Sequence, residues 1–264
     1  AVTRMTLERD MTQGLQNGEF FLVFQPIVEL GGKDGRDRIH GVEALLRWRH
    51  PERGLISPAE FIPVAEDTGR IGDLTNLALR EACRILADWR KRLPQARELH
   101  VSVNISAKDL VRSDLAATVR DALAEHDLSP RGLRLEVTET AMMQTGVAAM
   151  RILEEITGMG VALSMDDFGT GYSSMGQLSR LPVDILKIDL GFVRMMEQGA
   201  RHLEIVKTIV DLAHNLGMGV VAEGVEQTGQ RDILHRLGCE YCQGYLFARP
   251  APAREMESLL AARL

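Results

Sequence analysis

The chain contains, at positions 164 to 174, the stretch Ser164-Met165-Asp166-Asp167-Phe168-Gly169-Thr170-Gly171-Tyr172-Ser173-Ser174. Apolar residues from Val161 lead into two adjacent carboxylates, and a loop rich in glycine and hydroxyl groups follows. Two carboxylates about 4 Å apart repel each other by roughly 4 kcal/mol at an effective dielectric constant of ~20, so a buried pair must take up a proton or a cation. A strand that ends in this way is suited to bind a metal ion and a phosphate.

The composition is that of a globular protein with a large core. The chain has 264 residues, of which 45% are hydrophobic and 26% are charged, and that length suits one large α/β barrel or two small domains. The net charge of -6 and the lack of a basic run argue against binding to a nucleic-acid polymer. An acidic protein that binds a small phosphate ligand is expected to need metal ions.

The cysteine content, the lack of a long apolar run and the first residue indicate the compartment and the context of this chain. Cys83, Cys239 and Cys242 are too few for a disulfide framework, so we expect buried thiols in a reducing, cytoplasmic compartment. No apolar run reaches the ~18 residues that span a bilayer, so we expect no membrane insertion by this segment, although the full-length protein could be anchored elsewhere. The chain starts at Ala1, as expected of a domain cut from a longer protein.

Alternation of short apolar runs with helical periodicity predicts the architecture. A turn-like stretch too short for a crossover separates the first two strands, so these should be antiparallel. The remaining strands are separated by helical segments, which indicates a TIM-like (β/α)₈ barrel with its first strand antiparallel to the rest. The predicted strands are 20–28, 39–47, 99–104, 133–137, 161–166, 184–188, 219–223 and 240–243, and the predicted helices are 6–16, 58–66, 73–92, 107–126, 148–157, 175–181, 203–216, 231–237 and 252 onward.

Polar residues recur at or near the carboxyl ends of the strands, from the second strand to the last. In a barrel these ends meet on one face, where active sites lie, so we expect one shared site rather than separate solvated strand ends. Carboxylate and amide oxygens dominate the set, and none of the seven histidines belongs to it. Such hard ligands favour Mg²⁺ or Mn²⁺ over zinc. The expected metal ligands are Glu43, Asn104, Glu136, Asp166, Asp167 and Glu223.

Five carboxylates are more than one ion needs, so two ions that share Asp166 are expected, as in phosphoryl hydrolysis. Lys187 would position or help deprotonate a water molecule, or neutralise developing charge; equally, it could simply pair with a carboxylate. Enolase-like barrels also combine strand-end acids, magnesium and a lysine base, so proton abstraction beside a carboxylate is an alternative. The adjacent Asp166 and Asp167 and the following loop favour the two-metal phosphate site.

Eight short motifs extend over nearly the whole chain. They are Gln25-Pro26-Ile27-Val28, Glu43-Ala44-Leu45-Leu46-Arg47, Asn104-Ile105-Ser106, Glu136-Val137-Thr138-Glu139, Asp166-Asp167-Phe168-Gly169-Thr170-Gly171, Leu186-Lys187-Ile188-Asp189, Ala222-Glu223-Gly224-Val225-Glu226 and Gln243-Gly244-Tyr245. In this order they resemble the motifs of the EAL family of cyclic di-GMP phosphodiesterases, and the motif that begins at Glu43 resembles the one that names the family. A lone tripeptide would mean nothing, but this set is specific.

The resemblance implies hydrolysis of one phosphodiester bond of cyclic di-GMP to linear pGpG, which lowers this second messenger in bacterial signalling. It places one ion on Glu43, Asn104, Glu136 and Asp166, and a second among Asp166, Asp167 and Glu223. Lys187 and Gln243 would contact the catalytic water or its neighbours, and Glu139 would brace the loop after Asp167. The general base is left open among Lys187, Glu223 and a hydroxide on the metal. The substrate contacts expected on this basis are Gln25, Leu46, Arg47, Asp189 and Glu226.

The family also has members that have lost catalytic residues and serve only as cyclic di-GMP receptors. This sequence retains every acid, the amide, the lysine and the glutamine, so we expect an active enzyme and keep the silent receptor as the alternative. The resemblance further implies a homodimer that pairs near the loop after Asp167. We expect residues 1–264 to form a single domain, with sensor or regulatory domains elsewhere in the full protein.

Overall fold

The computed structural model describes residues 4–32, 35–143, 146–169 and 175–263. Within them, the strands alternate apolar residues that pack outward with polar residues that point inward. In β5, for example, Leu135 and Val137 lie in the outer core, whereas Glu136 faces the barrel interior. The strands are β1 (Phe20–Glu29), β2 (Arg38–His50), β3 (Gly54–Ile56), β4 (His100–Asn104), β5 (Leu133–Thr138), β6 (Ala162–Phe168), β7 (Ile185–Ile188), β8 (Gly219–Ala222), β9 (Tyr241–Cys242) and β10 (Ala251–Pro252).

Eight of these strands close into a barrel. β1 pairs antiparallel with β2 and with β9, and the pairs from β2 through β4, β5, β6, β7, β8 and β9 are all parallel. The predicted barrel with an antiparallel first strand is therefore confirmed. β3 and β10 lie outside the closed ring, where β3 extends the edge of β2 and β10 pairs with β1.

Helices surround the sheet and bury its outer face. They are α1 (Arg4–Asn17), α2 (Pro58–Asp67), α3 (Ile71–Arg92), α4 (Leu115–Ala124), α5 (Glu139–Met143), α6 (Val147–Gly158), α7 (Met175–Leu178), α8 (Leu190–Met195), α9 (Ala200–Asn215), α10 (Thr228–Arg236) and α11 (Ala253–Arg263). The main core lies between these helices and the strands. In the described part of the chain, no helix is both long and apolar enough to cross a bilayer.

The predicted helix over 107–126 is wrong at its start. A 3₁₀ turn occupies Asp109–Val111, and α4 begins only at Leu115. The cause is local hydrogen bonding, because the Asp109 carboxylate accepts from the Ser106 backbone N–H and the Ser106 hydroxyl accepts from Lys108 N–H. Such side-chain bonds favour a turn over helix propagation.

A second, smaller core supports the open end of β1 and β2. Trp48 stacks on Phe20 at 4.9 Å between ring centroids, and Phe61 of α2 meets Phe20 edge-on at 5.7 Å. α1 covers these rings with Leu7 and Met11. The cluster anchors α1, β3 and α2 against the long hairpin that carries Glu43. The three cysteines are buried free thiols, as predicted.

Candidate active site

Lys187 lies at the centre of a ring of carboxylates inside the barrel. Its Nζ is 2.5 Å from Glu136 Oε2, 2.6 Å from Glu223 Oε1, 3.4 Å from Asp166 Oδ1 and 3.6 Å from Glu43 Oε2. These side chains come from β2, β5, β6 and β7 and from the residue that follows β8. The strand-end residues that the sequence predicts to share one site do meet, and Lys187 is only 1% exposed among them.

A chain of amides orients Glu43. Asn104 Nδ2 donates to Glu43 Oε1 at 2.7 Å, and Gln243 Nε2 donates to Glu43 Oε2 at 2.6 Å. Gln243 also donates to Gln25 Oε1 at 3.0 Å, and Gln25 in turn donates to the Ala248 carbonyl at 3.2 Å. Both oxygens of Glu43 therefore receive a hydrogen bond, and the antiparallel strand β1 contributes to the site through Gln25.

Burial among like charges changes how these groups ionise. Burial raises the pKa of Glu136 to about 7 and that of Glu223 to about 8, although Lys187 opposes both shifts. Burial also raises the pKa of Asp167, and the neighbouring Asp166 adds to that shift. Burial alone would lower the pKa of Lys187, but the surrounding carboxylates outweigh it and raise that pKa well above its usual value. The ring thus holds more carboxyl groups than one ammonium can neutralise, and it keeps protons that a cation would displace.

An irregularity in β6 brings two consecutive acids to the same place. In a regular strand neighbouring side chains point to opposite faces, but the register with β7 shifts between Met165 and Phe168. Asp167 has φ 55°, in the left-handed region that aspartate tolerates better than most residues. As a result, carboxylate oxygens of Asp166, Asp167 and Glu223 lie within 4.8 Å of one another. Residues 170–174 of the loop expected beside a phosphate lie outside the described residues.

Glu139 links this irregular segment to the next strand. It begins α5, is 1% exposed, and accepts the Gly169 N–H through Oε2 at 2.8 Å. Gly169 has φ 96°, and a Cβ there would lie 2.5 Å from the Phe192 ring. The position next to the two acids is therefore fixed by a buried carboxylate on one side and an aromatic ring on the other.

The donor set fits a hard divalent cation. Asp166, Asp167 and Glu223 can supply three oxygens to one ion, and the fully buried Oε1 of Glu136 has no hydrogen-bond partner among the described residues. Asn104 uses its nitrogen on Glu43, so its amide oxygen remains as a ligand atom. Oxygen-only sites of this kind suit Mg²⁺ or Mn²⁺.

The expected substrate contacts flank the acids. Leu46 and Arg47 follow Glu43 on β2, and Arg47 donates to the Leu46 carbonyl at 2.8 Å. Asp189 follows β7, where its Oδ1 accepts the Gly191 N–H and caps α8. Glu226 pairs with Arg194 at 3.0 Å on the opposite rim. Gln25 contacts the ring through Gln243, and the roles of all these residues toward a substrate stay predictions.

This geometry matches a known protein family. A family model described as the EAL domain matches residues 8–250. The chain belongs to the EAL domain family. The fold and the ring of strand-end acids therefore belong to an EAL domain, and the resemblance read from the motifs is confirmed.

Curated EAL relatives cover nearly all of this chain. The bifunctional diguanylate cyclase/cyclic di-GMP phosphodiesterase MucR of Pseudomonas aeruginosa is 41% identical over 261 residues, which are 99% of this chain and 37% of MucR. The cyclic di-GMP phosphodiesterase NbdA of the same organism is 42% identical over 262 residues, 99% of this chain and 33% of NbdA. The chain thus spans about a third of the length of these relatives.

Solved structures of EAL proteins superpose closely. The PaMucR phosphodiesterase in complex with c-di-GMP has a TM-score of 0.88 at 43% identity, and the match covers 95% of this chain and 99% of that one. The EAL enzyme Bd1971 with cAMP and cyclic di-GMP bound has a TM-score of 0.91 at 35% identity, with 97% of this chain and 69% of that one covered.

Two cavities share Leu45 of β2 in this EAL domain. The first is an open cleft of about 310 Å³, and its lining includes Glu43, Asp166, Glu223, Glu226, Gln243 and the half-exposed Tyr245. The second is a more apolar cavity of about 380 Å³ that is lined by Leu46 and Arg47. Its remaining wall comes from α2, α3, the end of β4 with the segment after it, and the start of α5, with Pro58, Ile62, Glu66, Thr75, Ile105 and Ser106 among the lining residues.

This apolar cavity was not predicted from the sequence. Its residues come from separate segments that follow no common period, so no single pattern marks them. One sequence feature that could have indicated the cavity is Thr75, a polar residue within the apolar stripe of α3 beside Leu74 and Ala78. Another was Glu66, an acid at the end of the short helix α2 that precedes α3.

Proposed function

We propose that this EAL domain hydrolyses one phosphodiester bond of cyclic di-GMP and releases linear pGpG. The observation that carries the proposal is the ring of carboxylates around Lys187, with Asp166, Asp167 and Glu223 close enough to share a cation. The names of MucR and NbdA and the c-di-GMP complex of PaMucR support this choice of substrate. In the reaction, water oxygen bonds to phosphorus, the bond from phosphorus to the ribose 3′ oxygen breaks, and that oxygen takes a proton.

We propose that the site takes two ions, Mg²⁺ or Mn²⁺. Glu43, Asn104, Glu136 and Asp166 would hold one, and Asp166, Asp167 and Glu223 would surround the second. When bound, such ions polarise a phosphoryl oxygen and activate water. The unpartnered Oε1 of Glu136 and the excess of carboxylates over cations support this ligand set.

The chain's own polar groups would hold water and reacting atoms in place. Lys187 donates to Glu136 and Glu223 and would neutralise charge that develops on the phosphate. Gln243 fixes the Glu43 carboxylate and can contact a neighbouring water. Glu139 holds the segment after Asp167 through Gly169 N–H. Of the two side chains considered as the base from the sequence, Glu223 is the better candidate to accept the proton of the attacking water, because the raised pKa of Lys187 keeps its ammonium protonated.

The two cavities suit a ligand with a phosphate between two bulky bases. Arg47 would bind a phosphate as a fixed cation, and Leu46 would contact a nucleobase in the apolar cavity. Gln25 and Glu226 line the acidic cleft and would contact the rest of the nucleotide. Asp189, beside Asp167 at the end of β7, is proposed as a further contact.

The test is product analysis with the purified chain. Cyclic di-GMP is incubated with Mg²⁺, and in parallel with Mn²⁺, beside the Glu43→Ala variant, and the products are separated by chromatography. A pGpG peak from the wild type that the variant lacks supports the proposal. Tight binding without cleavage would make this domain a receptor. Neither binding nor cleavage would return an enolase-like proton abstraction to consideration.

Assembly and context stay proposals of the same kind. We propose that residues 1–264 act as one domain within a longer signalling protein, supported by the length of MucR and NbdA. We also propose a homodimer; sedimentation showing only a fully active monomer at micromolar concentration would contradict it. A cytoplasmic location stays an expectation of the sequence.

A further inference from the structure

Asp109 is a fully buried carboxylate that the proposed chemistry does not use. It lies on the 3₁₀ turn after β4 and is 0% exposed. Its Oδ2 accepts from the Thr75 hydroxyl at 2.7 Å and from the Ser106 backbone N–H at 3.1 Å, and its Oδ1 accepts from Arg112 at 3.2 Å. A buried carboxylate that accepts three hydrogen bonds is satisfied, whereas the loss of one donor would destabilise the fold. The three donors are therefore held close to Asp109.

These contacts join two walls of the apolar cavity. Thr75 belongs to α3 and Ser106 to the segment after β4, and both line the cavity beside Arg47. The same segment is bound on its other side to β5, where Ile105 N–H donates to the Glu136 carbonyl at 2.8 Å. Asp109 is therefore the link between the helix that bounds the cavity and the strands that carry the acids.

Arg112, which donates to Asp109, also lies against the start of α3. A Cβ at Gly72 would lie 1.8 Å from the Arg112 guanidinium, so this group lies directly over the first turn of α3. Arg112 also binds the exposed Asp114 at 2.9 Å. A side chain at residue 72 would therefore force the Arg112 guanidinium to move from this position.

We propose that Asp109 is a positioning residue that sets the width of the apolar cavity and thereby the affinity for the nucleobase of the substrate. It acts through Thr75 and Ser106 and touches neither the reacting phosphate nor the metal ligands. The inference rests on the proposed function, because it assumes that the cavity takes a base of cyclic di-GMP.

Two near-isosteric variants, one conservative variant and one matched control test this proposal. Asp109→Asn replaces one acceptor oxygen by a donor, so at least one of the three hydrogen bonds becomes a donor facing a donor. Thr75→Val replaces the hydroxyl by a methyl group, whereas Thr75→Ser keeps the hydroxyl. Asp114→Asn makes the same chemical change on an exposed partner of Arg112. The measurements are KM and kcat for cyclic di-GMP, and the dissociation constant of Mn²⁺ alone by calorimetry without substrate.

We expect Asp109→Asn and Thr75→Val to raise KM about tenfold, which corresponds to about 1.4 kcal/mol. Values of kcat and of the Mn²⁺ dissociation constant should stay within about twofold of wild type. Asp114→Asn should behave as wild type, and Thr75→Ser, which keeps the hydroxyl, should raise KM less than Thr75→Val does. An unfolded Asp109→Asn leaves Thr75→Val to decide, since it removes only one of the three bonds.

Three results would overturn the inference. These are an unchanged KM in Thr75→Val, a fall in kcat at constant KM, and a loss of Mn²⁺ affinity as large as the change in KM. A wild type that neither binds nor cleaves cyclic di-GMP would instead refute the proposed function. The two failures are therefore distinguished by the wild-type assay.

Discussion

Gln243 Nε2 lies 2.6 Å from Glu43 Oε2, although the two residues are 200 positions apart in the sequence. The contact spans the seam where β1 closes the barrel between β2 and β9, and Gln25 on β1 joins it. Because the amide fixes one oxygen of Glu43, the orientation of this proposed metal ligand depends on the last barrel strand. A ligand held by an outer hydrogen bond loses much of its metal affinity when that bond is removed.

Gln243→Leu should lower the rate of pGpG formation by about 10- to 100-fold, because Glu43 loses a donor and its carboxylate can rotate. The matched control is Gln13→Leu on the exposed side of α1, which should leave the rate unchanged. Both variants are assayed at saturating Mg²⁺ and again at limiting Mg²⁺. A Gln243→Leu rate equal to wild type at limiting Mg²⁺ would contradict the role given to this amide.

Metal affinity should rise with pH. Glu136 and Glu223, whose pKa values are raised to about 7 and about 8, hold protons in the metal-free protein at pH 6 and must release them to bind a cation. The Mn²⁺ dissociation constant should therefore fall between pH 6 and pH 9, by up to about tenfold per pH unit for each proton released. Calorimetry in buffers of different ionisation enthalpy measures that release. Glu223→Gln should release fewer protons, and a pH-independent affinity would refute the shifts.

The same two acids should make the metal-free protein less stable as pH rises. Their folded pKa values exceed the ordinary 4.5, so between about pH 4.5 and pH 8 the folded state binds more protons than the unfolded state. Their contribution to the free energy of unfolding is present below that window and is lost as pH rises through it. Urea unfolding at pH 6 and pH 8 measures the decline, and saturating Mn²⁺ should reverse it at pH 8. A decline that persists with Mn²⁺ would point to other groups.

Gly244→Ala should destabilise the barrel by about 1–3 kcal/mol, since overpacking against a rigid neighbour cannot relax. A Cβ at this position would lie 2.1 Å from the backbone carbonyl oxygen of Val225. Gly158→Ala is the control, because a Cβ there meets nothing within 4 Å at the end of α6, and the change should be neutral or stabilising by up to about 1 kcal/mol. Urea unfolding of both variants gives the comparison, and equal stabilities would refute the close approach.

Glu139→Ala should lower the rate of pGpG formation strongly and the free energy of unfolding only moderately. The variant removes the acceptor of Gly169 N–H and frees the backbone next to Asp167. We expect a loss of about 1–3 kcal/mol in unfolding free energy from the unpaired donor. We expect a loss of more than about 100-fold in rate, because a small displacement of the acids impairs attack geometry. Glu154→Ala, on the exposed side of α6, is the control. Equal activity of the two variants would remove Glu139 from the site.

The closed barrel could be predicted because each strand follows its own short-range pattern and because the first connection is too short for a crossover. The positions of Glu43, Glu136 and Asp166 followed from the same pattern, since parallel strands end on one face. Asp167 was also expected among the ligands from its residue type, although strand alternation alone would turn it away from Asp166. The Asp167 carboxylate lies close to Glu223 because the register of β6 is shifted, and only the pairing with β7 reveals that shift.

The start of α4 and the apolar cavity were beyond sequence patterns for a related reason. A helix over 107–126 agrees with local propensity, but the buried Asp109 takes hydrogen bonds from Ser106 and from Thr75 of a distant helix. Tertiary contacts thus override the local preference at the very segment that bounds the cavity. Departures from the regular pattern at Asp109 and Asp167 both lie beside the site.

β1 has consequences for how the domain is made. One edge of β1 pairs with β2, the next strand along the chain. Its other edge pairs with β9 and β10, which lie near the end of the chain. During synthesis from the N-terminus, Gln25 and Glu43 exist on an open-edged hairpin until residues 241–252 have left the ribosome. An exposed edge of this kind is prone to pair with other chains. Pairing of β1 with β9 and β10 thus both completes the proposed site and covers the exposed edge. A nascent chain therefore gains its site and its protection from aggregation in the same folding step.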